Sequence, residues 1–133
     1  MEMQIKTELQ GDLLFVTYTG TATLDSSVRL LNRVADIAAE KRIHKILLNQ
    51  LAISGILSTL ERYEIAIKGR AHLAQLLISP NVALVGVPPS VDGFAVLVAQ
   101  NRGVTVDVFP TVQKALAWLD TTKIHPPTIQ SGP

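Results

Sequence analysis

Short apolar runs alternate with helically spaced segments along this chain, and that alternation restricts the fold more than any other feature. Residues 46–48, 82–87 and 104–109 are rich in β-formers and too short for helices. Each leads into a longer segment with apolar residues at helical spacing. Successive strand–helix–strand crossovers require the connected strands to run parallel, each crossover right-handed. Ahead of them, residues 3–9 alternate around Ile5, Thr7 and Leu9, and residues 13–19 are again β-formers, with Gln10-Gly11-Asp12 between. A glycine beside an aspartate supplies the positive φ of a tight turn, so this opening pair reads as an antiparallel hairpin. The predicted class is α/β: a single domain with a mixed five-stranded sheet and covering helices, in the order ββαβαβαβα.

Helix signals agree with that order. Thr23 offers an N-cap, and Val28, Leu31, Ala35 and Ala38 recur at helical spacing as far as Arg42. Ser58-Thr59-Leu60-Glu61 has the form of a capping box and opens a second helix that should run to Ile78, stopped by Ser79-Pro80. Pro88-Pro89-Ser90 reads as a rigid turn, residues 91–101 as a third helix ended by Gly103, and residues 112–119 as a closing helix anchored by Trp118 and Leu119. Residues 1–120 are thus expected to form the domain. Residues 121–133 carry Pro126, Pro127, Gly132 and Pro133 without periodic apolar positions, and are expected to be a flexible C-terminal tail.

Composition narrows function by exclusion. The 133 residues are 47% hydrophobic and 17% charged with net charge +1, and no Lys/Arg cluster marks a nucleic-acid partner. No cysteine is present, which removes disulfides, zinc thiolates and thiol catalysis. His44, His72 and His125 stand on separate elements without ligand spacing, so no metal or other cofactor is expected. No apolar run has the length of a membrane span, and Met1 leads into polar residues, so a cytoplasmic protein is expected. No nucleophile, base and orienting group can be assembled from visible motifs, and the expectation is a protein that is not an enzyme.

The Gly-Asp hairpin, the ILLNQ strand leading to the Ser58 cap, the VALVGVP strand and the closing VDVFPTVQKALAWL phrase together resemble the SpoIIAA-like, or STAS-like, family over residues 3–120. The resemblance implies the fold of sulfate-transporter and anti-sigma-factor-antagonist domains, related in shape to lipid-carrying SEC14-type domains. It also implies a non-catalytic regulatory, protein-interaction or ligand-sensing module. In the antagonists a serine in a D-S-[ST]-G-like loop after the third strand is phosphorylated. Here Ser54-Gly55 keeps the Ser-Gly pair without the aspartate, so Ser54, Gly55 and Ser58 are the candidate phosphorylation or partner loop. Ser54 is otherwise a turn residue, and Ser58 otherwise a cap.

Two further groups stand out. Ile53, Ile56 and Leu57 make the connection after the third strand unusually apolar, either as a partner surface or by tucking under a helix. On the second helix, Tyr63, Ala66, Ile67, Leu73, Ala74 and Leu77 are predicted to share an inward face with Arg70 near its centre. A guanidinium there must snorkel, pair, or meet an anionic ligand. Ile65, Gly69 and Leu76 form a second strip. A mid-helix glycine costs about 1 kcal/mol relative to alanine, so Gly69 indicates close helix approach, within the fold or between subunits. The leading expectation is a module that binds a protein partner or itself; the alternative is a binder of a small amphipathic ligand. Twofold pairing is the commonest way to cover such apolar surface. Sedimentation at micromolar concentration is expected to show a dimer or larger, and a monomer at every concentration rejects self-association.

Overall fold

The computed structural model describes residues 1–91 and 93–121. Its elements are β1 (Gln4–Gln10), β2 (Leu13–Thr21), α1 (Leu24–Lys41), β3 (Lys45–Ser54), α2 (Thr59–Leu76), β4 (Asn81–Val85), α3 (Phe94–Asn101), β5 (Val106–Phe109) and α4 (Val112–Thr121). The five strands form one sheet in the order β1-β2-β3-β4-β5. β1 and β2 pair antiparallel, closed by Gln10 opposite Leu13 across a two-residue loop in which Gly11 has φ +65°. All other pairings are parallel. The mixed sheet, the hairpin and the order ββαβαβαβα are those predicted.

Alternation along the strands divides the interior in two. Leu14, Val16 and Tyr18 of β2, with Ile46 and Leu48 of β3, pack beneath Leu30, Val34 and Ala38 of α1. Burial there pushes the Tyr18 phenol far above its ordinary pKa of 10.0. On the opposite face Leu13, Leu47, Ala83 and Val85 pack against Ala115 and Leu119 of α4. Leu47 and Ile46 are 0% and 2% exposed, so β3 is buried on both sides, as a parallel strand with helices above and below should be. Both long helices start as their sequences require. Thr23 and Ser26 cap α1 reciprocally, as Ser58 and Glu61 cap α2.

Several boundaries differ from expectation. Beyond the apolar run 46–48, residues 49–54 continue β3 all the way to Ser54, because β2 runs on to Thr21 and supplies backbone partners that local sequence does not reveal. β4 stops at Val85, and α3 begins only at Phe94, after a turn in which Val91 N–H donates to Val87 O. β5 starts at Val106, two residues later than predicted. α2 ends at Leu76 with Leu77 left-handed at φ +59°. Thr121 belongs to α4, and the rest of the expected tail, 122–133, lies outside the described residues. No helix among the described residues is long and apolar enough to cross a membrane.

The first residues fold across the end of β2. Thr21 N–H donates to Met1 O at 2.9 Å, and Gly20, at φ +95°, lies so close that an added Cβ would meet Met3 Cα at 2.9 Å and the Glu2 carbonyl. Gly11 also has positive φ but open space around it. Gly20→Ala is therefore expected to cost about 3 kcal/mol in urea denaturation, and Gly11→Ala only about 1 kcal/mol. Equal losses would show that backbone crowding at Gly20 is unimportant.

Candidate functional site

The register of β3 against β2 slips once, between the pairs Thr17–Asn49 and Thr19–Ala52. Three residues of β3 there span the distance of two in β2, a β-bulge; Asn49 Oδ1 accepts from Leu51 N–H at 3.1 Å within it. The extra residue reverses the phase of the side chains. Ile46, Leu48 and Gln50 precede it on the α1 side, and Ile53 resumes that side after it. The carboxyl end of the strand thereby stays apolar on the face that α2 covers.

α2 covers this face without sealing it. The helix packs on α1 and α3, only Arg62 and Ala66 of its residues are buried, and neither core cluster includes one of its side chains. Beneath it lies a cavity of about 190 Å³, lined by sheet residues such as Leu48, Ile53 and Leu84 and by Ile65, Gly69 and Leu73 of α2. Such crevices beyond the carboxyl ends of parallel strands are the usual ligand positions in open α/β sheets.

Three contacts hold α2 at this distance. Arg62, 7% exposed, donates from Nη2 to Pro89 O at 2.7 Å, tying the first turn of α2 to the β4–α3 connection. Gly69 faces Leu31, whose Cδ2 would be 2.9 Å from an added Cβ. His72 Nε2 and Asp36 Oδ1, 2.7 Å apart, link the helices one turn further on.

The inward face of α2 is thus rotated from the predicted one. Arg62, Ile65, Ala66, Gly69 and Leu73 turn toward the cavity, while Tyr63, Ala74 and Leu77 are exposed. Two overlapping apolar stripes fit this helix, and packing against α1 and α3 turns inward the one that contains Gly69. Arg62 is accordingly the buried guanidinium. Arg70 lines the cavity but is an exposed residue, with its charge free to reach water. Ile65 and Gly69, expected on a second strip beside that face, are half-buried and line the cavity, and Leu76 is half-buried. The close approach implied by Gly69 is made within the fold.

The predicted partner loop also divides. Ile53 and Leu57 are half-buried and line the cavity, whereas Ile56 is 68% exposed. Ser54 is exposed at the end of β3; its hydroxyl donates to Gly20 O at 3.2 Å and lies 3.0 Å from Thr21 Oγ1. Gly55 follows at φ +89°. Ser58 Oγ accepts from Glu61 N–H at 3.1 Å, so its side chain serves as the cap.

One buried polar group beside the cavity has no hydrogen-bond partner among the described residues. Among the described residues, Asn32 Oδ1 is the only buried side-chain nitrogen or oxygen without a hydrogen bond, and Asn32 lines the cavity from α1. An unpaired buried acceptor costs about 1–3 kcal/mol. Sequence reasoning passed over it; the available signal was an amide flanking the apolar stripe of Leu31 and Ala35. No group of three or more His, Asp or Glu side chains suited to a metal ion occurs among the described residues.

No protein-family model matches the sequence, and no curated protein matches it. Solved structures do match. An anti-sigma factor antagonist from Mycobacterium paratuberculosis is 14% identical, with 90% of this chain and 95% of that chain covered and a TM-score of 0.60. A candidate anti-sigma factor antagonist from Thermotoga maritima is 16% identical, with 87% and 94% covered and a TM-score of 0.60. An uncharacterised protein with a SpoIIAA-like fold from Shewanella loihica is 17% identical, with 88% and 93% covered and a TM-score of 0.51. The chain has the SpoIIAA-like fold that its sequence resembled.

If Arg62 sets the position of α2, Arg62→Ala removes both a charge-assisted hydrogen bond and a packed side-chain stem. A loss of about 2–3 kcal/mol in urea denaturation is expected, with the fold retained. An unchanged midpoint would show that the helix is held elsewhere.

Proposed function

We propose that this chain is a non-catalytic regulatory module that binds a partner protein through the surface running from the β3 bulge to the first turn of α2. The observation carrying this reading is a set of exposed apolar side chains along that stretch. Leu51, Ile56 and Leu60 are 47%, 68% and 69% exposed. Leu51 and Leu60 bracket, and Ile56 lies within, the Ser54–Ser58 segment in which the family resemblance places partner contact. Covering a side chain of this size is worth about 1.5–3 kcal/mol, so three are enough to anchor a small interface. The anti-sigma factor antagonists of the same fold suggest the partner class, a regulatory protein of the anti-sigma-factor kind. A second copy of the chain is the other occupant that suits the same surface.

Ser54 belongs to this surface as a switch. Phosphorylation would replace a hydroxyl that donates to Gly20 O with a group of about −1.5 to −2 charge that accepts only, beside that same carbonyl. The bond tying β3 to the end of β2 would be lost there, and the adjoining apolar surface would acquire charge.

The second reading, binding of a small amphipathic ligand, is favoured by the cavity under α2 and its mainly apolar lining. The two are compatible, since the partner surface and the cavity share the β3–α2 segment, with Ile56 outside and Leu57 inside.

Leu60→Glu tests the partner surface. The variant is expected to keep its thermal stability within about 0.5 kcal/mol, because the side chain is exposed, and to bind at least about tenfold more weakly. Titration calorimetry against the anti-sigma factors of the source organism reads the affinity. Equal affinity of both forms, or binding of neither, overturns the assignment.

A further inference from the structure

We infer that the cavity under α2 takes a small anionic amphiphile, its apolar body beneath the helix and its oxyanion head on Arg70. The inference rests on the ligand-binding reading and names the class of ligand and the residue that selects it. The body is set by a lining that is mostly hydrocarbon, from Leu48, Ile53 and Leu84 of the sheet and Ile65 and Leu73 of α2. An apolar cavity of about 150 Å³ accommodates benzene, so one of about 190 Å³ takes an aromatic ring and a one-carbon linker.

The head is set by what lies at the edge of that space. A second recess, of about 120 Å³, adjoins the cavity, and Arg70, Leu73 and Val104 line both. Beyond those shared residues the recess gains the polar side chains of Ser79, Arg102 and Thr105. Arg70 therefore stands where hydrocarbon gives way to polar surface. Its charge is uncommitted: among the described residues it makes no hydrogen bond or ion pair. The positions three and four residues away on α2 are Ala66, Ile67, Leu73 and Ala74, none of them charged. The acids of α2 are engaged elsewhere, Glu61 in the cap and Glu64 with Lys68 at 3.3 Å.

The sign of the surroundings agrees. Among the described residues no aspartate or glutamate lines the cavity or the recess, whereas Arg62, Arg70 and Arg102 do. Arg62 donates to Pro89 O and Arg102 to Tyr63 Oη at 3.2 Å, so both add positive potential while Arg70 supplies unused donors. An oxyanion meets the planar fork of a guanidinium with two parallel hydrogen bonds, and an ammonium head would be repelled. Since Arg70 is exposed, the head stays at the water boundary and keeps part of its hydration, which a charge buried beneath the helix would lose.

Four probes sharing an aromatic body test the inference: phenylacetate, benzyl phosphate, 2-phenylethanol and 2-phenylethylamine, titrated into the full chain at pH 7 in low salt and followed by amide chemical shifts. Saturable shifts at Ile65, Gly69 and Leu84 identify binding in the cavity. The tighter anion is expected to bind about tenfold more tightly than the alcohol, the worth of charge-assisted hydrogen bonds to one guanidinium, and its identity tells a carboxylate head from a phosphate. The amine is expected to bind more weakly than the alcohol. Arg70→Gln, at an exposed position, is expected to retain the fold, to reduce the anion's advantage to about twofold and to leave the alcohol's dissociation constant unchanged. A change in cavity shape would instead alter both. In the unmodified protein, about 0.5 M salt should also shrink the advantage. Anions bound no more tightly than the alcohol, or an advantage unchanged in Arg70→Gln, overturn the assignment of the head and leave ligand binding standing. Shifts around Arg70 without shifts at Leu84 overturn it too, because they report ion pairing at the surface. Saturable shifts with none of the four overturn ligand binding in this cavity altogether.

Discussion

The burial of β3 on both faces, followed by its slip of one residue against β2, is the constraint on which the site depends. Through Ile46, Leu47 and Leu48 the strand supplies both interior layers, one under α1 and the other under α4. A strand committed to two layers cannot change register without moving apolar side chains to the wrong side. The bulge after Asn49 absorbs the extra residue locally and returns Ile53 to the α1 side, where it meets the cavity. The same extension carries Ser54 to the end of β2, where its hydroxyl bonds to Gly20 O. The apolar floor of the cavity and the placement of Ser54 are two consequences of one irregularity.

Above that floor, α2 is a helix held by its neighbours. Sequential parallel strands with right-handed crossovers place α1, α2 and α3 on one side of the sheet, and α4 closes the other. With α1 and α3 occupying the sheet surface, the middle helix rests between them, and space remains underneath. The space of about 190 Å³ beneath it is covered without being closed, so its apolar lining forgoes contacts that a more tightly seated helix would make. The Arg62–Pro89 bond, the Leu31–Gly69 contact and the His72–Asp36 pair oppose collapse of the helix onto the sheet. A bound apolar molecule would restore contacts to the lining. Since α2 also carries Leu60 on its outer side, occupancy of the cavity and the shape of the exposed surface meet in one element.

Local chemistry made the architecture legible in the sequence. The Gly11 turn, the caps at Thr23 and Ser58, and the short apolar runs each act within a few residues, so they can be read without knowing what lies across the fold. The site was only partly legible. The segment Ile53–Leu57 was recognisable as unusual because apolar residues in a connection require an explanation, but its division into cavity lining and exposed surface was not. On α2 the periodicity admitted two overlapping apolar stripes, and the predicted one was only partly inward: Ala66 and Leu73 face the cavity, while Tyr63, Ala74 and Leu77 are exposed. Asn32 passed unnoticed, because an amide within a helix declares nothing until its surroundings are known.

By itself, then, the sequence determined the α/β class, the order of the elements, the antiparallel opening and the parallel remainder. Turn chemistry, capping and hydrophobic period are properties of neighbours in the chain. Tertiary structure alone decided which arginine is buried, that residues 49–54 extend a strand, that Gly69 serves a contact between helices of the same chain, and that the Asn32 side-chain oxygen is buried without a hydrogen bond. Each of those depends on atoms many residues away: β2 pairing with β3, Pro89 accepting from Arg62, and Leu31 meeting Gly69. Distances of that kind are set by packing three helices over one face of a twisted sheet, and no local pattern encodes them.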